Sequence, residues 1–192
     1  LDALEEALVL GTRKKMYSVI NRNPGLHFRE IQRRTKIATG SLQYHLEYLQ
    51  KRHLIRVEKQ GKFSRYFSVR GKQLGNQQGL MSLLRQESLR RIVLFVLANK
   101  RTNNTRIANA LKLSPSTVSW HISKLVSAGV IEKRRRGRKI FFYVSNPEEV
   151  AGLLKGYKRS FLDEVVDNFV EVWDGLSLEK ELKKSAAYHK SQ

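Results

Sequence analysis

The chain has 192 residues, and its 37 Lys and Arg against 17 Asp and Glu give a formal charge of +20, a surplus that asks for a polyanionic partner such as nucleic acid. With 41% apolar residues it can build real cores, which excludes wholesale disorder, and with no cysteine it excludes disulfides, thiolate catalysis and Cys-type zinc sites. No apolar run reaches the ~18 residues of a membrane span, and a start with Asp2, Glu5 and Glu6 is not a signal peptide; a soluble, cytoplasmic, nucleoid-associated chain, trimmed ahead of Leu1, is expected.

Residues 1–73 carry 16 basic and 6 acidic residues, residues 74–146 carry 14 and 2, and residues 147–192 carry 7 and 9. The two basic blocks repeat each other at an offset of 76. Asn23 meets Asn99, Ile31 meets Ile107, His45 meets His121, Leu49 meets Leu125, Ile55 meets Ile131 and Gly61 meets Gly137. Two copies at so long a period mean a duplicated domain rather than a solenoid. The expected organisation is a first domain over 1–73, a second over 74–146, and C-terminal helices with a polar tail over 147–192.

In chain order, each copy begins with a short leading helix (3–9; 79–86). A hydroxyl N-cap, Thr12 or Ser88, and a second helix follow. Asn23-Pro24-Gly25 breaks that helix in the first copy, and the stretch around 100–104 breaks it in the second. A helix of eight to ten residues and a tight turn lead to a longer helix, 39–52 or 115–128. In the second copy Ser114-Pro115 is a good N-cap with proline at the first helical position. The period then changes from about 3.6 to 2. Residues 54–59 and 64–69 flank Gln60-Gly61-Lys62, and residues 130–134 and 140–144 flank Arg136-Gly137-Arg138. Helix, helix, turn, helix and hairpin make a helix-turn-helix with a β-wing. The expected fold is mainly α with small β-wings (α+β): two tandem winged helix-turn-helix domains plus C-terminal helices.

On the long helices Leu42, Leu46 and Leu49, and Val118, Ile122 and Leu125, form packing stripes. The opposite face carries Gly40, Tyr44, Glu47 and Lys51, flanked by Ser41, Gln43 and Tyr48. Its counterpart carries Ser116, Trp120, Ser123 and Ser127, flanked by Thr117, Ser119 and Lys124. Small, hydroxyl-bearing and aromatic residues there point to contact, where a merely solvated helix would favour Glu and Lys. In a helix-turn-helix this helix enters the major groove. Gln43 suits adenine, and Thr117 or Ser119 suits either kind of base edge. Packing on a neighbouring element is the alternative for Tyr44 and Trp120. His45 and His121, at the stripe's edge, lack partners at metal spacing, so half-buried hydrogen-bonded rings are expected and no metal.

The second wing runs Lys133-Arg134-Arg135-Arg136-Gly137-Arg138-Lys139, six positive charges in seven residues. Charges so dense repel unless phosphate neutralises them. The first wing, with Lys59, Lys62 and Arg65, is milder. The expected DNA contacts are therefore Gly40, Ser41, Gln43, Tyr44, Lys51, Lys62, Arg65, Ser116, Thr117, Ser119, Trp120, Lys124, Arg134, Arg135, Arg136, Arg138 and Lys139.

Residues 116–133, Ser-Thr-Val-Ser-Trp-His-Ile-Ser-Lys-Leu-Val-Ser-Ala-Gly-Val-Ile-Glu-Lys, resemble the core signature of ArsR/MarR-type winged-helix transcription regulators. Residues 40–55, Gly-Ser-Leu-Gln-Tyr-His-Leu-Glu-Tyr-Leu-Gln-Lys-Arg-His-Leu-Ile, match it less closely, with His53 at the family's usual glycine. Over roughly residues 12–145 the chain is similar to tandem winged-helix regulators common in archaea. The resemblance implies the fold and double-stranded DNA as partner. The family's metal-sensing cysteines and His/Asp clusters are missing, so no metal or cofactor is carried over.

After the wings, Pro147-Glu148-Glu149 opens a helix whose stripe is Val150, Leu153, Leu154 and Tyr157. Phe161, Val165, Phe169, Trp173 and Leu176 continue it. This stripe either dimerises the chain, which is the expectation, or covers the back of the second domain. Residues 177–192 read as a polar end. No phosphate loop, nucleophile elbow or carboxylate pair is present, so no enzyme is expected. The sequence thus points to a sequence-specific DNA-binding transcription regulator. An architectural, chromosome-organising DNA-binding protein and an RNA-binding winged helix are the alternatives.

Overall fold

The structure, a computed structural model, describes residues 10–60, 63–70, 77–99 and 101–174. These fall into two units, one ending at Gln86 and the other beginning at Glu87. The expected leading helix 3–9, Gly61 and Lys62 of the first wing, Leu176 and the tail 177–192 lie outside the described residues.

Unit 1 runs α1 (Gly11–Arg22), β1 (Leu26–His27), α2 (Phe28–Thr35), α3 (Thr39–Lys51), β2 (Ile55–Gln60), β3 (Phe63–Ser68) and α4 (Gln78–Leu84). Met16 and Ile20, one turn apart on α1, meet Ile31 of α2 and Leu42, Leu46 and Leu49 of α3 in one buried core. The turn after α1 forms because Asn23 Nδ2 donates to Val19 O (2.7 Å) and Gly25 takes a left-handed φ of 80°. That geometry lets Gly25 N donate to Tyr66 O at 2.9 Å. A Cβ on Gly25 would also meet Met81 and Phe67 at 3.4 Å. A capping box starts α2: Glu30 N donates to His27 Nδ1 (3.2 Å) and His27 N donates to Glu30 Oε2 (2.8 Å). The sheet is antiparallel in the order β1-β3-β2.

Unit 2 repeats this arrangement with α5 (Glu87–Ala98), α6 (Asn104–Leu111), α7 (Pro115–Ser127), β4 (Ile131–Arg136) and β5 (Lys139–Val144). Every one of these bounds lies 76 residues beyond its counterpart in unit 1. The β1–β3 pair of Leu26 with Tyr66 recurs as a single bridge between Thr102 and Phe142. Strand β1 escapes a sequence pattern because two residues carry no alternation. Helices α8 (Pro147–Gly156), α9 (Lys158–Phe161) and α10 (164–174) complete unit 2. Asn146 caps α8 by accepting from Glu149 N at 3.2 Å. The described residues thus form a mainly helical fold with small β-wings, built as two winged helix-turn-helix units with extra C-terminal helices.

Four details differ from the sequence expectation. First, α1 and α5 begin at Gly11 and Glu87, so Thr12 and Ser88 lie inside the first turn and do not cap. Second, helix 79–86, read as the leader of the second domain, packs in unit 1. Its Met81 meets the Gly25 turn, and Arg85 Nε donates to Pro24 O at 3.0 Å. Third, β1 joins the first wing. Fourth, α10 turns Val166 and Val170 inward, whereas Val165 is exposed. Arg90 of α5 ties this tail to the unit, donating from Nε to Asp163 Oδ2 (2.7 Å) with its guanidinium 5.4 Å from the Phe161 ring centre.

Candidate nucleic-acid interface

Helix α7 is set by its first turn. Ser114 Oγ accepts from Thr117 N at 3.1 Å and lies 2.7 Å from Thr117 Oγ1 and 2.9 Å from Ser116 Oγ, with Pro115 at the first helical position. Asn104, the first residue of α6, donates from Nδ2 to Pro115 O (3.1 Å) and to Ser119 Oγ (2.8 Å), which locks the two helices of the motif together. Helix α3 has Ala38 at its N-cap and no side-chain cap. Gln32 Nε2 instead reaches Thr39 Oγ1 at 2.8 Å. On α3 the side chains of Leu42, Leu46 and Leu49 are buried, as are Val118, Ile122 and Leu125 on α7.

The opposite faces are open. Gly40, Ser41, Gln43, Tyr44 and Lys51 are exposed on α3, and Ser116, Ser119 and Trp120 on α7, with Thr117 and Lys124 half-buried. Tyr44 and Trp120 are 61% and 63% exposed, so neither ring packs on a neighbouring element. Each instead meets the next residue edge-on: Tyr44 with His45 at 5.2 Å and 67°, Trp120 with His121 at 4.9 Å and 64°. Gln43 Nε2 donates to Glu47 Oε1 at 3.2 Å, leaving its carbonyl oxygen without a bond from Glu47.

The histidines differ in detail. His45 Nδ1 accepts from Arg13 Nε at 3.4 Å, while His121 Nδ1 is buried without a hydrogen-bond partner. Burial lowers the pKa of both, with the charges of Arg13 and Lys124 pushing the same way. Among the described residues no three His, Asp or Glu side chains are grouped to hold a metal ion.

The second wing presents its charge outward: Arg134, Arg135, Arg136, Arg138 and Lys139 are all exposed. Two of them are oriented locally. Arg134 pairs with Glu132 at 2.7 Å and lies 4.7 Å over the Tyr143 ring, and Arg135 Nε donates to Gly137 O at 3.1 Å across the turn. Gly137 makes that turn with φ of 60°. Between this wing and the helices lies a cleft of about 510 Å³. It is lined by Lys133, Arg138 and Lys139 of the wing, by Asn104, Thr105, Ser119 and Ser123 of α6 and α7, and by the apolar Ile122, Ile140 and Phe142. The lining thus combines cations with hydroxyl and amide groups, a composition suited to an anionic strand.

The first wing corrects one expected contact. Arg65 is only 3% exposed: its Nη1 donates to Gly25 O at 3.1 Å and lies 3.6 Å from Glu30 Oε2. It holds the α2 N-terminus to the sheet and is not placed to meet phosphate. Lys62 lies outside the described residues. Two groups that sequence reasoning passed over stand out here. Phe63 is 56% exposed and stacks on His27 at 5.6 Å and 21°, and Asn104 orients Ser119. The signal for both lay in the repeat, since Phe63 and His27 align with Lys139 and Asn103, and Asn104 aligns with Phe28.

Comparison with known proteins matches the chain in pieces. A family model described as an N-terminal HTH domain matches residues 10–77, and one described as winged helix-turn-helix DNA-binding matches residues 85–132. An uncharacterized HTH-type transcriptional regulator of Methanocaldococcus jannaschii is 27% identical over 141 residues, 73% of this chain and 35% of the relative. The transcriptional repressor PagR of Bacillus anthracis is 37% identical over 65 residues, 34% of this chain and 64% of PagR. The chain therefore spans about a third of the first relative's length and under two thirds of the second's. Reduced HlyU of Vibrio cholerae superposes with a TM-score of 0.39 at 23% identity, covering 43% of this chain and 85% of that one.

Proposed function

We propose that this tandem winged helix-turn-helix protein, related to archaeal and bacterial HTH regulators, is a sequence-specific transcription regulator of the ArsR/MarR-like kind. Helices α3 and α7 read the major groove of double-stranded DNA, and the basic wing of unit 2 holds the phosphate backbone. The observation that carries this reading is the state of the α7 face. Ser119 is oriented by Asn104, Ser116 and Thr117 are drawn to the Ser114 cap, and Trp120 stands open beside them. Short polar groups held in fixed positions discriminate base edges, whereas backbone binding needs only charge. The role is one of binding, without catalysis or cofactor, and a DNA partner carries with it a cytoplasmic, nucleoid-associated location. No helix among the described residues is long and apolar enough to cross a membrane.

The reading includes a homodimer through the C-terminal helices. With Val166 and Val170 turned inward, Leu162, Val165 and Val172 leave a second apolar stripe exposed.

The test is footprinting on pooled genomic fragments, followed by affinity for the protected site and for random duplex. Gln43→Ala and Ser119→Ala are each expected to weaken the protected site by about 1–3 kcal/mol and leave random duplex nearly unchanged. Equal losses on both would mean an architectural protein instead.

A further inference from the structure

The two wings differ most at one position of the ladder. The last strand pair before the wing turn is Gln60 with Phe63 in unit 1 and Arg136 with Lys139 in unit 2. Where unit 2 places a cation beside the tip, unit 1 places a phenyl ring with more than half its surface open. That ring is not loose. It stacks nearly parallel on the imidazole of His27, and the imidazole is itself fixed, since its Nδ1 accepts from Glu30 N within the capping box that begins α2. Glu30 in turn faces the buried Arg65. The result is an aromatic blade with a rigid backing, rooted in the helix-turn-helix. In the same unit Arg56 and Lys59 on β2 and Arg29 on α2 are exposed, so its surface carries cations suited to a polyanion.

We propose that Phe63 is a wedge: on duplex DNA it enters between two base pairs from the minor groove, unstacks them partly and kinks the helix at unit 1. Proteins that bend DNA from the minor groove use apolar side chains of this kind, and the kink lets more protein surface reach the strand. The wedge rests on the duplex-DNA reading above and adds a second mode to it. Unit 2 grips the backbone by charge, and unit 1 distorts the step it meets. The ring must be braced, because a freely rotating side chain loses the entropy that insertion costs. His27 supplies that brace.

The experiment uses the full chain and two 30-base-pair duplexes of mixed sequence with dyes at both ends. One is fully paired, and the other carries a two-nucleotide bulge at its centre. The bulge is already unstacked, so the wild-type protein is expected to prefer it by about tenfold, and to bring the duplex ends closer by a kink of roughly 20–90°. Phe63→Ala is expected to abolish both effects while keeping affinity for the paired duplex within about threefold, because the phosphate contacts that set nonspecific affinity are untouched. Phe63→Leu, still an apolar wedge, retains a measurable kink, and Phe63→Lys, which copies unit 2, binds the paired duplex more tightly without bending it. Equal melting temperatures of the variants exclude a folding defect. Duplex binding with no kink, or a kink and bulge preference that survive Phe63→Ala, overturns the wedge alone and leaves Phe63 for a protein partner. Failure of the wild-type chain to bind either duplex overturns the DNA reading itself.

Discussion

His53 and Gly129 occupy the same place in the two units: 76 residues apart, both follow the long helix, with φ of 54° and 71°. Each donates its N–H three residues back, to Gln50 O and Val126 O, at 2.9 Å. Glycine takes this left-handed conformation freely, whereas a residue with a Cβ pays a steric penalty. His53→Gly is therefore expected to stabilise the protein by about 0.5–1 kcal/mol, and Gly129→Ala to destabilise it by about 1–2 kcal/mol. Urea unfolding of the full chain measures both, and a destabilised His53→Gly protein would mean that the imidazole makes up for its backbone.

Salt dependence is expected to separate the wing arginines, proposed above to meet phosphate, from the buried Arg65. Replacing Arg134, Arg135 and Arg136 together with alanine should flatten the slope of log K against log salt by about two to three. Arg65→Ala should leave that slope alone and cost about 2 kcal/mol of stability by stranding Gly25 O and Glu30. Anisotropy titrations at four salt concentrations, with melting curves, decide the matter. A flattened slope in Arg65→Ala would restore it to the interface.

Three histidines make the fold sensitive to acid in the same direction. Burial lowers the pKa of His27, His45 and His121 below the ordinary 6.5. At His27 the nearby Glu30 partly opposes burial while Arg65 and Arg33 reinforce it. Near pH 6.5 the unfolded chain takes up protons that the folded chain still refuses, so stability is full above that pH and falls as the pH drops through it. His27→Asn keeps a capping side chain, as Asn103 does in unit 2, and should flatten the loss seen in melting temperatures between pH 7.5 and 5.5. A protein that gains stability on acidification would contradict this sign.

The exposed stripe on α10 is expected to hold two copies together. Val165→Glu with Val172→Glu should yield a monomer by light scattering at tens of micromolar, with the melting temperature little changed because neither side chain is buried. Should the unmutated chain already be monomeric, the dimer is wrong and the stripe serves another purpose.

Much of this was legible because the repeat is so regular. Once His45 is laid on His121, five elements of one unit fall on five of the other, though their ends were read a residue or two off, and Leu42, Leu46 and Leu49 declare the buried face of α3 by spacing alone. Arg65 was misread for a physical reason. Counted as charge it belongs with Lys59 and Lys62, but it shares a strand face with the buried Phe67, and the repeat lays it on Phe141. Alternation with Phe67 placed it inside, and its charge hid that. The α10 face was misjudged because apolar residues occupy both sides of that helix, so a single stripe through Val165 looked sufficient. The capping role of His27 was hidden by residue type: histidine is not among the usual N-caps, and only its alignment with Asn103, which caps the same helix in unit 2, points to it.

No residue has been gained or lost between equivalent elements of the two units since they diverged, although most of their surface side chains differ. The lengths and order of the equivalent elements have been kept, while caps, turn residues and one buried side chain differ between the units. On the reading proposed above, substitutions on a single helix change the half-site read by one head while the other head keeps its own, so the spelling of a composite site can evolve one word at a time.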